Sequence, residues 1–292
     1  MTRDASDPAW LDRSLYPFAP HWFDAPAGRM HYVDEGAGRP LVMVHGNPTW
    51  SFQYRHVISA LAGERRCIAP DHLGFGLSDK PVGYSYLPKD QAAGLAAFLA
   101  ALDLRDVTLV VGDWGGPLAL SWALDHPDRV SAIVITNTWM WSVRNDWYYQ
   151  GFSRFMGGPI GSRLIRRRNF FAGDFLKRVY ADRSRLTPDI HRHYLAPLGT
   201  PDERAGSAIF PREIIGSSDW LASLWDRRAA LGGIPAALVW GTEDLAFRDK
   251  ELERWRTLFP SAATVRLPDC GHYVAEEKPD QLVEAIRGIS PA

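Results

Sequence analysis

Short apolar segments alternate with amphipathic segments along most of the chain. Within these runs the apolar residues follow one another directly instead of occupying every second position. The runs cover residues 41–44, 67–70, 107–111, 132–135 and 236–240. Continuous short runs are typical of strands that are covered on both faces, as in a parallel sheet. Helical patterns lie between or after them, at residues 89–102, 116–124, 250–258 and 279–286. This alternation predicts an α/β fold with a mostly parallel sheet, in which ligands bind at the carboxyl ends of the strands.

The alternation stops between residues 139 and 216. This segment is rich in aromatic and basic residues, with thirteen Lys or Arg against seven Asp or Glu. It therefore carries a charge of about +6, which leaves about −7 for the rest of the chain. We interpret residues 139–216 as a helical cap, inserted into a core formed by residues 1–138 and 217–292. A solvated face is the favoured explanation of its arginines, ahead of a basic lid that attracts anions.

The composition narrows the class of protein. A chain of 292 residues with a net charge of −1 lacks the basic surface that nucleic-acid binding requires. No apolar run reaches the roughly 18 residues of a membrane span, and residues 1–8 lack the apolar stretch of a secretory signal. Cys67 and Cys270 do not have the spacing of a zinc or redox motif. We therefore expect a cytoplasmic protein that binds neither nucleic acid nor a membrane and has no metal site.

The most informative motif is GDWGG at residues 112–116, between a predicted strand and a predicted helix. Such a turn of small residues is the context of a nucleophile elbow, in which one side chain is exposed above the sheet. The residue at that position is Asp113 rather than the serine of an esterase. Because a carboxylate is ionised at neutral pH, it attacks without a base and suits displacement at a saturated carbon, which forms an ester. The competing explanation is that Asp113 caps the helix.

Partners for Asp113 are expected at two later positions. His272 follows the last predicted strand, where hydrolases with this kind of elbow place their base. The carboxylate that orients the imidazole is supplied by Glu243 or Asp244. We predict Asp244, with Glu243 as the alternative. The other candidate strand end carries Asn137 in place of an acid.

Two neutral donors complete the predicted site. Asn47, in the loop after the run at 41–44, brings a side-chain amide, and Trp114 brings an indole N–H. A departing halide is a weak base, so it needs hydrogen-bond donors rather than a proton. The backbone N–H groups of Asn47 and Trp114 are also expected to form the oxyanion hole. The alternative is that Asn47 only shapes a turn and that Trp114 only packs.

With these residues placed, the chain resembles the haloalkane dehalogenases of the α/β-hydrolase superfamily over nearly its whole length. The matching motifs are HGNPTW at 45–50, DHLGFGLS at 71–78, GDWGG at 112–116 and GH at 271–272. The resemblance implies an eight-stranded α/β-hydrolase sheet flanked by helices. It also implies Asp113 as nucleophile, His272 as base and Asp244 as acid. Asn47 and Trp114 are then the residues that bind the halide and the substrate.

The resemblance further implies a reaction and a subgroup. Small apolar halogenated substrates would be hydrolysed to an alcohol and a halide, with water as co-reactant and without a metal or an organic cofactor. An Asp acid combined with an Asn–Trp halide pair resembles the third subgroup of the family. Members of that subgroup tend to self-associate, so the resemblance leaves a homo-oligomer open.

Other functions use similar residues. An epoxide hydrolase shares the Asp–His–acid set, but its leaving oxygen is a strong base that needs acidic donors, usually two tyrosines. The candidate tyrosines are Tyr148, Tyr149, Tyr180 and Tyr194. Asn47 argues against this alternative, because such enzymes usually carry an aromatic residue there. Fluoroacetate dehalogenases place Arg where this chain has Trp114. A luciferase-type oxygenase would use similar residues, whereas a non-catalytic receptor would need no nucleophile.

Overall fold

The computed structural model describes residues 7–289. Its strands are β1 (His21–Ala25), β2 (Gly28–Glu35), β3 (Pro40–Val44), β4 (Arg66–Pro70), β5 (Val107–Asp113), β6 (Val130–Thr138), β7 (Ala236–Gly241) and β8 (Ala263–Leu267). They form one eight-stranded sheet in the order β1-β2-β4-β3-β5-β6-β7-β8. β1 and β2 pair in antiparallel fashion, β2 is antiparallel to β4, and the strands from β3 to β8 run parallel. The predicted fold class, α/β with a mostly parallel sheet of eight strands, is confirmed.

Cover on both faces of the sheet explains the continuous apolar runs. In β3, Val42 and Val44 enter one hydrophobic core, while Leu41 and Met43 enter the other. Successive side chains of a strand point to opposite faces, so a strand in the middle of such a sheet has no polar face.

Helices flank the sheet. They are α1 (Arg55–Leu61), α2 (Pro88–Ala101), α3 (Gly115–Asp125), α4 (Trp147–Gly157), α5 (Pro159–Arg168), α6 (Leu176–Val179), α7 (Pro188–Leu195), α8 (Ala205–Gly216), α9 (Ser218–Asp226), α10 (Asp249–Leu258), α11 (Val274–Glu277) and α12 (Pro279–Ile289). Short 3₁₀ segments lie at Ser51–Tyr54, Pro127–Arg129, Arg183–Arg185, Ala196–Leu198 and Arg228–Leu231, and a π segment lies at Phe171–Phe175. α2 and α3 contribute to one core, and α1 and α12 contribute to the other.

Between β6 and β7 the described chain is helical, from α4 to α9. Pro159 and Pro188 begin α5 and α7, where the N–H that proline lacks has no partner in the helix anyway. α7 is attached to the core because the Trp50 indole donates to the His193 carbonyl at 2.8 Å.

The division into a cap at 139–216 and a core stays a prediction. The predicted core includes both ends of the chain, but residues 1–6 and 290–292 lie outside the described residues. Most of residues 1–8, which lack the apolar stretch of a secretory signal, therefore also lie outside them. α5 ends in Arg166, Arg167 and Arg168, which are exposed at the helix C-terminus, where positive charge is favourable. Within residues 7–289, no helix combines the length and the apolar character that crossing a membrane requires.

Candidate active site

The turn after β5 exposes the Asp113 side chain above the sheet. Asp113 has a left-handed backbone with a φ of 47°, which is unfavourable for a residue with a side chain. The turn is crowded: a Cβ on Gly115 would lie 2.1 Å from the Val44 carbonyl oxygen, and a Cβ on Gly46 would lie 2.2 Å from Asp113 Oδ1. Glycine is therefore required in the turn at position 115 and in the facing loop at position 46. The N-cap of α3 is Trp114, without a side-chain hydrogen bond, so capping does not explain Asp113.

Asp113, His272 and Asp244 meet at the carboxyl edge of the sheet. His272 Nε2 lies 3.5 Å from Asp113 Oδ2, and His272 Nδ1 lies 2.9 Å from Asp244 Oδ2. The Asp244 side chain is fully buried, whereas the Asp113 side chain is 18% exposed. Glu243 is exposed. The structure thus brings Asp244, and not Glu243, to the imidazole, while the catalytic roles of these residues stay predictions.

Asn137 holds the Asp244 carboxylate in place. Its Nδ2 donates to Asp244 Oδ2 and to the Gly241 carbonyl, both at 2.9 Å, and its Oδ1 accepts from the Gly241 N–H at 2.8 Å. The Ala246 N–H donates to Asp244 Oδ1 at 2.7 Å. Sequence reasoning treated Asn137 only as a strand end without an acid. The signal that it missed was an amide side chain directly after an apolar strand, where burial demands hydrogen-bond partners.

Two carboxylates hold a proton on His272. Burial alone lowers the pKa of an imidazole, but the Asp244 and Asp113 carboxylates outweigh burial and raise the pKa of His272 to about 10. In the neutral ring, Nδ1–H donates to Asp244, and Nε2 is the free acceptor that faces Asp113. A reaction that neutralises Asp113 therefore removes part of this stabilisation and lowers the pKa of His272.

Asn47 and Trp114 flank the Asp113 carboxylate. The Asn47 backbone N–H donates to Asp113 Oδ1 at 2.7 Å, whereas its side-chain Nδ2 makes only a 3.5 Å contact with the Ser207 carbonyl. The Trp114 indole packs edge-on against Trp139, with ring centroids 4.6 Å apart. Among the described residues, its N–H has no acceptor. Both side chains therefore have a donor to offer to a bound anion.

An apolar cavity of about 150 Å³, which we call the front cavity, opens at Asp113. Asn47, Trp114 and His272 also reach it. Most of the remaining wall is aromatic, including Tyr148, Tyr149, Phe152, Phe171, Phe175 and Phe247. An apolar wall with a few convergent polar groups is typical of a site for a small organic molecule. In the part of the chain that the structure describes, no cluster of His, Cys, Asp and Glu side chains is placed to bind a metal ion.

The tyrosines considered for epoxide opening do not form a pair of free donors. Tyr148 and Tyr149 line the front cavity, but their hydroxyls donate to main-chain carbonyls at 2.5 and 2.8 Å. Tyr180 and Tyr194 lie outside its wall. The epoxide hydrolase alternative is therefore not favoured.

Comparisons with known proteins identify relatives along almost the whole chain. A family model described as alpha/beta hydrolase fold matches residues 39–279. Haloalkane dehalogenase 2 of Mycobacterium tuberculosis is 40% identical over 277 residues, which cover 94% of this chain and 96% of that protein. A cis-3-alkyl-4-alkyloxetan-2-one decarboxylase of Shewanella oneidensis is 34% identical over 295 residues, which cover 94% of this chain and 89% of that protein.

Solved structures agree with these sequence matches. The crystal structure of haloalkane dehalogenase DbeA from Bradyrhizobium elkani has a TM-score of 0.84 and 26% sequence identity, and the match covers 93% of this chain and 97% of that chain. The third subgroup, with its Asp acid and its Asn–Trp pair, stays a prediction. Since the matches in sequence and in structure span nearly the entire chain, the protein is an enzyme of the haloalkane dehalogenase family, which has the α/β-hydrolase fold.

Proposed function

We propose that this enzyme hydrolyses small haloalkanes to an alcohol and a halide through a covalent ester on Asp113. One observation carries the proposal: an ionisable carboxylate at the elbow contacts the His272 imidazole and opens into an apolar cavity. A serine hydrolase needs a base to activate its nucleophile, whereas a carboxylate does not. The base is therefore free to act in a second step.

The first step is displacement at the halogen-bearing carbon. Asp113 Oδ1 accepts from the Asn47 N–H, which leaves Oδ2 as the attacking oxygen. The new bond joins Oδ2 to carbon, and the halide leaves with the electron pair of the broken bond. The amide of Asn47 and the indole N–H of Trp114 stabilise the halide, because an isolated anion in an apolar cavity is costly.

The second step is hydrolysis of the ester. Alkylation neutralises Asp113, so His272 first releases its resting proton to solvent. Its Nε2 then takes a proton from water, and the water oxygen bonds to the carboxyl carbon of Asp113. Backbone N–H groups of Asn47 and Trp114 stabilise the oxyanion, and loss of one such donor typically costs about 10²–10³-fold in rate. When the intermediate collapses, the alcohol oxygen leaves with the proton from His272. The carboxyl group of Asp113 then returns its proton to His272 and is regenerated as a carboxylate, so each turnover releases one proton to solvent.

The size of the front cavity favours small substrates. Its volume of about 150 Å³ equals that of an engineered apolar cavity that binds benzene. A haloalkane of a few carbons fits such a space. The cap proposed at residues 139–216 would supply much of the apolar wall and exclude water from the first step.

Decarboxylation of an oxetan-2-one is the second candidate function. The decarboxylases of Shewanella oneidensis and Xanthomonas campestris are 34% and 32% identical to this chain over 94% of its length. That reaction splits a four-membered lactone into carbon dioxide and an alkene. A ring with two alkyl substituents needs more room than a short haloalkane, so we place dehalogenation first.

The test combines three assays on the purified protein. With 1-bromobutane or 1,2-dibromoethane we expect bromide release, and with a cis-3,4-dialkyl-oxetan-2-one we expect no carbon dioxide. In a single turnover in ¹⁸O-labelled water, the Asp113 peptide should gain the heavy oxygen. Release of carbon dioxide without release of bromide would identify the enzyme as a decarboxylase rather than a dehalogenase. Bromide release with an unlabelled Asp113 would reject the ester.

The subgroup and its consequences belong to the same proposal. Membership of the third subgroup predicts self-association, which light scattering of the eluting protein measures directly. A cytoplasmic location is the expectation from the sequence, and fractionation of the host cell tests it.

A further inference from the structure

A second, smaller cavity touches the catalytic pair from within the core, and we call it the rear cavity. Asp113, His272 and Tyr273 border both cavities, but the rest of the rear wall comes from the core. The loop after β3, the 3₁₀ segment Ser51–Tyr54, the strands β5 and β6 and the helix α11 supply it. Its volume is about 20 Å³, above the 10–15 Å³ or so that one water molecule needs.

The wall of the rear cavity is polar enough to hold water. The Tyr54 hydroxyl donates to the Val44 carbonyl at 2.9 Å, and the Thr136 hydroxyl donates to the Val111 carbonyl at 3.1 Å. Both hydroxyls have therefore committed their protons. Gln53, which is 7% exposed, adds a side-chain amide with two N–H donors and one carbonyl acceptor. A buried water typically makes about three hydrogen bonds, and this wall can supply them.

We propose that the rear cavity holds the water that hydrolyses the Asp113 ester, and that Gln53 is the positioning residue that orients this water. The inference rests on the proposed function, because it requires the ester. Once Asp113 is alkylated, the alkyl group and the halide occupy the front cavity. Water in the rear cavity remains next to Asp113 and His272 without passing through the apolar space.

The orientation follows from the hydrogen-bonding groups. His272 Nε2 accepts one hydrogen of the water, and the Gln53 carbonyl accepts the other. A lone pair of the water oxygen is then directed at the carboxyl carbon of Asp113. The oxygen–carbon bond forms as the proton moves to Nε2, and the alcohol later leaves with that proton.

The experiment separates the two chemical steps in Gln53→Met, which keeps the length of the side chain and removes its polar atoms. A rapid-mixing experiment with 1,2-dibromoethane measures the bromide burst, and mass spectrometry of the quenched Asp113 peptide measures decay of the ester. We expect a burst rate close to that of the parent and ester hydrolysis slowed about 10²-fold, the effect typical of misplacing a reactant by about 1 Å. Accordingly, kcat should fall while kcat/KM is retained.

Two further variants keep the result interpretable. Gln91→Met makes the same chemical change at another buried glutamine, whose amide donates to the Leu73 carbonyl at 2.7 Å, and it should not change the ratio of the two rates. Ala275→Val adds methyl groups to the rear wall and leaves Gln53 in place. If the added methyl groups displace the water, this variant should slow ester hydrolysis selectively, even where Gln53→Met fails to fold.

The outcomes distinguish this inference from the function on which it rests. A parent enzyme without an ester at Asp113 rejects the proposed function, and the inference fails with it. An ester in the parent, combined with a parental hydrolysis rate in Gln53→Met and Ala275→Val, rejects only the inference. Equal slowing of both steps in Gln53→Met would assign Gln53 a structural role and would also overturn the inference.

Discussion

Two histidine–aspartate pairs in this molecule have the same contact geometry and differ in their surroundings. In both His272–Asp244 and His31–Asp71, Nδ1 lies 2.9 Å from a carboxylate oxygen, and both aspartate side chains are fully buried. Beyond its own partner, His272 faces Asp113 at 3.5 Å and borders the front and rear cavities. His31 borders neither of them.

The Asp71 carboxylate, in the His31–Asp71 pair, forms hydrogen bonds with groups that belong to the fold. Asp71 accepts from the Ser51 N–H at 2.8 Å and from the Leu77 N–H at 2.9 Å, in addition to His31. Burial alone raises the pKa of a carboxyl group, but His31 and the Ser51 N–H outweigh burial and lower the pKa of Asp71. The difference teaches that a buried His–Asp pair is a positioning device. In the proposed function, the His272–Asp244 pair takes part in chemistry because it also contacts Asp113 and a cavity.

Replacement of His272 by Phe is expected to have the largest effect. Sustained halide release should fall about 10⁶-fold, because the ester has no base to hydrolyse it. A burst of one halide per site should remain, since attack by Asp113 needs no base. Mass spectrometry then detects the trapped alkyl group on the Asp113 peptide. The matched variant His31→Gln should turn over without accumulating ester, and accumulation there would contradict the distinction between the two pairs.

The acid of the reactive pair gives the next largest effect. Asp244→Asn should lower turnover about 10⁴-fold, because the imidazole loses the carboxylate that fixes its tautomer and orientation. Glu243→Gln changes an exposed neighbour and should leave turnover within about twofold of the parent. Steady-state halide release measures both. A larger loss of turnover in Glu243→Gln than in Asp244→Asn would identify Glu243, rather than Asp244, as the acid.

The sequence predicted the local parts of this site better than its long-range parts. The elbow was readable because the strand, the glycines and Asp113 are contiguous in the chain. The choice between Glu243 and Asp244 was not decidable locally, since burial and a hydrogen bond from Asn137 on the neighbouring strand make the difference. The rear cavity left no signal in the sequence, because separate segments of the chain form its wall. Helix bounds were close because apolar periodicity is itself local.

A substitution in the His31–Asp71 pair should lower the free energy of unfolding and leave the catalytic rate nearly unchanged. Asp71→Asn leaves His31 and two backbone donors with a weaker partner, and a buried hydrogen-bonding group left without its partner typically lowers the free energy of unfolding by about 1–3 kcal/mol. Urea unfolding followed by fluorescence measures this loss. Turnover per folded molecule should be little changed. The opposite pattern, an unchanged urea midpoint with lost turnover, would make Asp71 a functional residue.

The smallest effect concerns two further buried histidines, His45 and His72. Burial lowers the pKa of both. His45 Nδ1–H donates to the Gly46 carbonyl and its Nε2 accepts from the His72 N–H at 3.0 Å, so the His45 ring is neutral. Burial favours the neutral form of the His72 ring, whose Nε2–H donates to the His45 carbonyl.

Below pH 6.5 the unfolded chain therefore binds protons that the folded chain does not, and stability falls as the pH falls. From pH 6.5 to 5.5 the His72 ring, whose pKa in the folded chain lies well below its usual value, should remove about 1 kcal/mol from the free energy of unfolding. His72→Gln should lose about 1 kcal/mol less than the parent over this interval, as measured by urea unfolding at both pH values. Identical losses in the two proteins would mean that the His72 ring accepts a proton in the folded state.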